Sequence, residues 1–114
     1  MTPEELQAHF RQRLELRIKA LESIFPPNQP LINESCLGGL IEFLHKLSGA
    51  AGLYGFNLLS AHAKEAESTA LDWQQNLSQA GINRHTQNDV QAILSKHLKD
   101  LHQMMQSEHQ AFTK

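Results

Sequence analysis

Leu44-His45-Lys46-Leu47-Ser48-Gly49-Ala50-Ala51-Gly52 is the stretch on which the reading of this chain turns. On a helical wheel with Leu37 at zero and about 100° per residue, Leu47, Leu40, Ala51, Leu44, Leu37 and Ile41 fill one arc from roughly −80° to +40°. That arc is the apolar stripe of a helix facing a core. His45 falls at about 80°, just beyond the stripe, and is flanked there by Gly52, Gly38 and Gly49. Gly49 stands four residues on, where a side chain would normally cover the imidazole from the next turn. Each glycine inside a helix costs about 0.5–1 kcal/mol relative to alanine. A chain that keeps several of them beside one histidine keeps that imidazole bare.

Outward from this stretch, the 114 residues are sized for one domain, 1–114, with a single core. The chain is 40% hydrophobic with few aromatics and is rich in Leu, Ala, Gln and Glu, a composition suited to helices. A net charge of −2 with both signs mixed supplies no basic field, so neither nucleic acid nor an anionic membrane surface is an expected partner. The single Cys36 has no internal disulfide partner and fits a reducing, cytoplasmic setting. No apolar run approaches the roughly 20 residues of a membrane span, and the N-terminus lacks a basic-then-apolar leader pattern.

The periodicity predicts four helices, at about 3–24, 33–53, 56–76 and 87–111, joined as an all-α, antiparallel up-down four-helix bundle. Thr2-Pro3-Glu4-Glu5 opens the first with a capping residue, a proline at the first helical position and Glu5 completing a capping box. Leu6, Phe10, Leu14, Ile18 and Leu21 then mark its inner face, while Arg11, Arg13, Arg17 and Lys19 read as a solvated outer face. Phe25-Pro26-Pro27-Asn28-Gln29-Pro30 breaks it. Asn33 is the expected N-cap of the second helix, which ends between Gly52 and Gly55. The third faces inward with Phe56, Leu59, Ala63, Ala66, Ala70, Trp73 and Leu77, its alanines implying close approach to a neighbour. Asn76 to Arg84 reads as a connection. Thr86-Gln87-Asn88-Asp89 opens the fourth, with Val90, Ile93, Leu94, Leu98, Leu101, Met104 and Met105 inward. The cap directly after Met1 favours a self-contained unit.

One consequence of this layout bears on chemistry. The midpoint between His45 and Glu67 falls at Phe56, so an antiparallel hairpin of the second and third helices sets both residues at the same height. Glu67 borders its own apolar stripe and looks across at the imidazole. A carboxylate that accepts a hydrogen bond from one ring nitrogen fixes the tautomer and leaves the other nitrogen's lone pair outward. That arrangement suits a phosphoryl acceptor.

Taken with the spacing, the stretch resembles the histidine-phosphotransfer (HPt) domains of two-component phosphorelay systems. Their motif is His, Leu two on, usually Lys three on, Gly four on, then small residues and another Gly near the next turn. Here those positions hold His45, Leu47, Ser48, Gly49, Ala50, Ala51 and Gly55. Ser48 departs from the usual lysine, which leaves open how the phosphate charge is offset. The resemblance implies that His45 is the phosphoacceptor and that Glu67 orients it, since a Glu or Gln at that position hydrogen-bonds the active imidazole in the family. Lys64, one turn before Glu67, either meets phosphate oxygens as a point charge or is an exposed helix lysine. Ser48 either donates to phosphate or bonds back to its own helix. Glu42, one turn before His45, is a rim contact or, more simply, a solvated carboxylate. Lys46 points about 100° away from His45 and is not a direct ligand. Gly38, Gly49 and Gly52 form the bare face on which a partner would sit.

A lone histidine at the edge of an apolar helix is most often structural; the glycine surround, the motif and the Glu67 register argue otherwise for His45. The remaining six, His9, His62, His85, His97, His102 and His109, do not make a metal site, because no two of the seven are spaced i, i+3 or i, i+4. His97 reads as a satisfied core residue, and His102 and His109 are two turns apart. No Gly-x-x-x-x-Gly-Lys loop or kinase nucleotide signature is present, so the expectation is a phosphotransfer protein without its own ATP-dependent kinase activity. By resemblance, its partners are response-regulator receiver domains and a hybrid sensor kinase. No cofactor is expected on this chain, the Mg²⁺ belonging to the receiver. A folded monomer suffices for this role. Two other classes compete: a module that docks and inhibits a receiver or kinase without being phosphorylated, and a purely structural or oligomerising bundle.

Overall fold

The computed structural model describes the backbone of residues 2–26, 28–29, 31–77 and 84–113, with side chains except at 34, 77, 84–88 and 111–113. Four α-helices make up the fold: α1 (Pro3–Ile24), α2 (Leu37–Leu53), α3 (Asn57–Leu77) and α4 (Arg84–Thr113). They pack as a four-helix bundle, α2 against α3, α3 against α4 and α1 against α4. Among the described residues there is no strand, and no helix is long and apolar enough to cross a membrane.

Both ends of α1 and the C-terminal end of α2 have identifiable causes. Thr2 Oγ1 accepts the Glu5 amide at 3.2 Å, Pro3 occupies the first turn, and Glu4 and Glu5 place negative charge at the positive end of the helix dipole. α1 stops at Phe25, whose extended backbone returns its N–H to the Leu21 carbonyl before Pro26. At the far end of α2, Gly55 takes φ +87°, a conformation open to glycine. Its N–H donates to the Gly52 carbonyl and that of Phe56 to the Ala51 carbonyl, the paired bonds of a Schellman cap. The chain thereby reverses within three residues, and α2 and α3 form a tight hairpin.

The core runs through all four helices: Phe10, Leu14 and Leu21 from α1, Leu40, Leu44 and Leu47 from α2, Ala63, Ala66 and Trp73 from α3, and Leu94, Leu98, Leu101 and Met105 from α4. The buried alanines let α3 come close to its neighbours, as their size predicts. Phe10 stacks on Phe56 at 4.8 Å between centroids and meets Tyr54 at 5.5 Å, and Gln7 Nε2 donates to the Tyr54 carbonyl. α1 thus holds the α2–α3 corner in place.

Several expectations are corrected. Asn33 is not the N-cap of α2: a 3₁₀ turn, Glu34–Cys36, intervenes, and the helix starts at Leu37 behind Cys36, which makes no side-chain cap. α4 begins at Arg84, so Thr86 lies within the helix and not at its start, and the helix continues to Thr113. The expected Asn76–Arg84 connection narrows, because Asn76 and Leu77 remain helical; residues 78–83 lie outside those described. Ile93 is 51% exposed, since Leu94 and Leu98 already fill the inward arc. His97 is only half-buried, its Nε2 lying 3.8 Å from Glu65 Oε1. Arg11 and Arg17 are not simply solvated: Arg11 lies over the Phe56 ring and pairs with Glu108 at 3.0 Å, and Arg17 lies over Phe10. Burial, then the nearby Arg13 charge, pull the Arg17 guanidinium below its ordinary value.

The proline-rich link after α1 is strapped to α4. Ile32 is fully buried, its N–H donates to Ser95 Oγ at 2.9 Å, and its carbonyl accepts from Gln91 Nε2 at 2.7 Å. Ser95 Oγ donates in turn to the Gln91 carbonyl. A segment with few backbone partners of its own borrows them from α4 side chains.

Candidate functional site

His45 projects from α2 about two turns into the helix, with Leu44 and Leu47 on either side of it buried in the core. Its side chain is 77% exposed, and its Nδ1 lies 3.0 Å from Oε2 of Glu67 on α3. Glu67 itself is 17% exposed, so the carboxylate is seated in the α2–α3 seam while the imidazole stands out of it. An ionised carboxylate only accepts hydrogen bonds, so the contact requires the proton on Nδ1 and puts the lone pair on Nε2. The ring's free lone pair is then the one on Nε2. The Gly55 corner creates this register, since it sets residues equally spaced from Phe56 opposite one another.

The backbone beneath the imidazole is tied down by two buried hydroxyls. Ser48, 4% exposed, donates from Oγ to the His45 carbonyl at 3.0 Å. Ser60 on α3, 5% exposed, donates to the Ser48 carbonyl at 2.8 Å. Of the two expectations for Ser48, the bond back to its own helix is the one present, and the hydroxyl faces inward. Ser60 was absent from the candidates read from the sequence. Its signal is a polar residue inside an apolar stripe, between Phe56 and Ala63 at helical spacing.

The exposed glycines differ in what surrounds them. A Cβ built on Gly38 or Gly49 meets nothing within 4 Å, so the surface beside His45 is open at both. At Gly52 a Cβ would stand 3.2 Å from Ser60 Oγ. Gly52 is exposed like the other two, and its missing side chain also leaves room for the Ser60 hydroxyl of α3. Lys64 is exposed on α3, one turn before Glu67. Glu42 is exposed and paired with Lys46 at 2.9 Å, and that lysine's hydrogen bond and charge hold its carboxyl below the usual value. The pair leaves both side chains engaged with each other along the rim. Among the described residues no three His, Cys, Asp or Glu side chains gather as a metal site would require.

The site thus combines an exposed imidazole, paired through Nδ1 with a seated carboxylate, and an open surface beside it at Gly38 and Gly49. A family model for the Hpt domain matches residues 5–110, nearly the whole chain. No curated protein and no solved structure matches it.

Proposed function

The chain belongs to the Hpt domain family, and from that premise we propose that His45 is the phosphoacceptor of a two-component phosphorelay. The observation that carries the assignment is the pairing of a 77% exposed imidazole with a seated Glu67 at 3.0 Å. The Nε2 lone pair attacks the phosphorus of an aspartyl phosphate on a receiver domain. The bond from phosphorus to the aspartyl oxygen breaks, the carboxylate is regenerated, and an N–P bond forms. Throughout, Nδ1 keeps its proton, and Glu67 balances the positive charge that the ring acquires. The reverse sequence delivers the phosphoryl group to an aspartate of a second receiver.

Phosphoryl transfer of this kind depends mainly on alignment and charge stabilisation. The receiver brings Mg²⁺ for the phosphate oxygens, whereas this chain contributes an aligned nucleophile and a surface to dock on. Gly38 and Gly49 leave that surface flat, and Lys64 is the cation on this chain closest in sequence to Glu67 on the exposed side of α3. With Ser48 turned inward, Lys64 takes the place of the family's usual lysine in offsetting phosphate charge. The chain works as a monomer in the cytoplasm, between a hybrid sensor kinase and its receivers, and uses no ATP itself.

Mixing the protein with a phosphorylated receiver domain and following acid-labile phosphate tests the assignment. The label should move to this chain and be abolished by His45→Gln. Labelling that survives the substitution would exclude His45. Tight receiver binding without any label would favour the competing reading, a docking module that inhibits its partner.

A further inference from the structure

The imidazole is held to Glu67 by its ring, but a helix fastened at one point can still slide or turn against its neighbour. A second fastening lies in the same seam. We infer that Ser60 is a positioning residue for His45, and that Gly52 lacks a side chain so that the Ser60 hydroxyl can reach α2. The inference rests on the reading of His45 as phosphoacceptor and assigns the device that keeps it aligned.

Ser60 Oγ donates to the Ser48 carbonyl at 2.8 Å, and Ser48 Oγ donates to the His45 carbonyl at 3.0 Å. Two hydroxyls thus connect α3 to the peptide that carries the imidazole. On α3, Ser60 and Glu67 are seven residues apart, which places them within about 20° of the same face. One carries the link to the α2 backbone and the other the link to the ring. Together they set both the height and the rotation of α2 relative to α3. A carbonyl inside a helix has a second lone pair, so the Ser60 contact is made without giving up the helical bond.

The residue choice supports the same conclusion. Alanine would fit the seam at 60, as it does at 63, 66 and 70, and is the better helix former. A buried hydroxyl is worth keeping only where it is bonded. Glycine at 52 is costly in a helix, yet a Cβ there would come within 3.2 Å of Ser60 Oγ, tighter than an ordinary contact. The hydroxyl would have to give by a few tenths of an ångström from the position in which it bonds the Ser48 carbonyl. The two unfavourable choices, at 52 and at 60, thus have a single explanation.

The test uses Ser60→Ala, Gly52→Ala and the double variant, with circular dichroism confirming that each remains helical. Two quantities are read: the ¹⁵N signals of the His45 ring in the unphosphorylated protein, and the transfer rate from saturating phosphorylated receiver beside the receiver Kd. Ser60→Ala should redistribute the Nδ1 and Nε2 signals and slow transfer by about tenfold, the order expected when a reacting group is misplaced by a fraction of an ångström. In Ser60→Ala the Kd should stay within about twofold, because Ser60 is buried in the seam. Gly52→Ala should reproduce these changes, and the double variant should be no worse than Ser60→Ala alone. Unchanged ring signals in Ser60→Ala, or additive effects in the double variant, would overturn the inference. The ring signals do not depend on phosphate, so a wild-type chain that takes no label defeats the relay reading separately from the clamp.

Discussion

Oε2 of Glu67 stands 3.0 Å from Nδ1 of His45, across 22 residues of sequence and one tight corner. The two ends of this contact differ in setting, the carboxylate seated at 17% exposure and the ring open at 77%. The seated partner is the fixed one, so the ring is oriented by the bundle and not by solvent. What the pair does therefore depends on the α2–α3 seam as much as on the histidine.

Replacing Glu67 with Ala removes the acceptor that holds the proton on Nδ1. The helical content should be unchanged, because the lost side chain lies at the margin of the core. The ring should populate both neutral tautomers, read as a shift of its ¹⁵N signals, and transfer from a phosphorylated receiver should slow by about tenfold or more. Wild-type signals and rate would show that Glu67 does not orient the ring.

Gly38 and Gly49 are helical, and a Cβ at either meets nothing. Alanine at each should therefore stabilise the protein by about 0.5–1 kcal/mol in urea denaturation. Bulk at 49 should weaken receiver binding nonetheless, so that Gly49→Leu raises the Kd without lowering stability to match. A receiver Kd insensitive to Gly49→Leu would place the docking surface elsewhere.

Gly55 is the residue on which the hairpin turns. Its φ of +87° is strained for any other side chain, and a Cβ would also press on Gln7 Nε2 at 3.2 Å. Gly55→Ala should cost about 1–2 kcal/mol by denaturation midpoint. It should also disturb the His45 ring signals more than a core substitution of equal cost, since the corner sets the register.

Ser95 gives the buried Ile32 N–H its acceptor. Ser95→Ala leaves that donor unpaired and should cost about 1–3 kcal/mol. Hydrogen exchange at Ile32 should accelerate in parallel. Transfer to His45 should be unaffected, because the hydrogen bonds of the strap join the link to α4 and involve no residue of α2 or α3.

Much of this arrangement is written locally. Helix identity follows from the spacing of Phe10, Leu14, Ile18 and Leu21 or of Leu94, Leu98 and Leu101, because a period near 3.6 leaves one face to bury. The exposure of His45 follows from its place beyond the Leu40–Leu44–Leu47 stripe. Its pairing with Glu67 follows from the count of residues on either side of the Gly55 corner, since a tight antiparallel hairpin has only one register. Belonging to the Hpt family is legible in the same stretch of small residues after the histidine.

Tertiary packing decided the rest. Gly38, Gly49 and Gly52 look alike on a wheel, yet only Gly52 lies against another helix, because closeness across a seam depends on how α3 is placed. The Ser60 and Ser95 hydroxyls find acceptors 12 and donors 63 residues away, contacts that no local period encodes. Arg11 falls on a face that a single helix leaves to solvent, and the Phe56 ring lies against it once the bundle assembles. Periodicity says which face of a helix turns inward; which neighbour it meets there is set only when the helices pack.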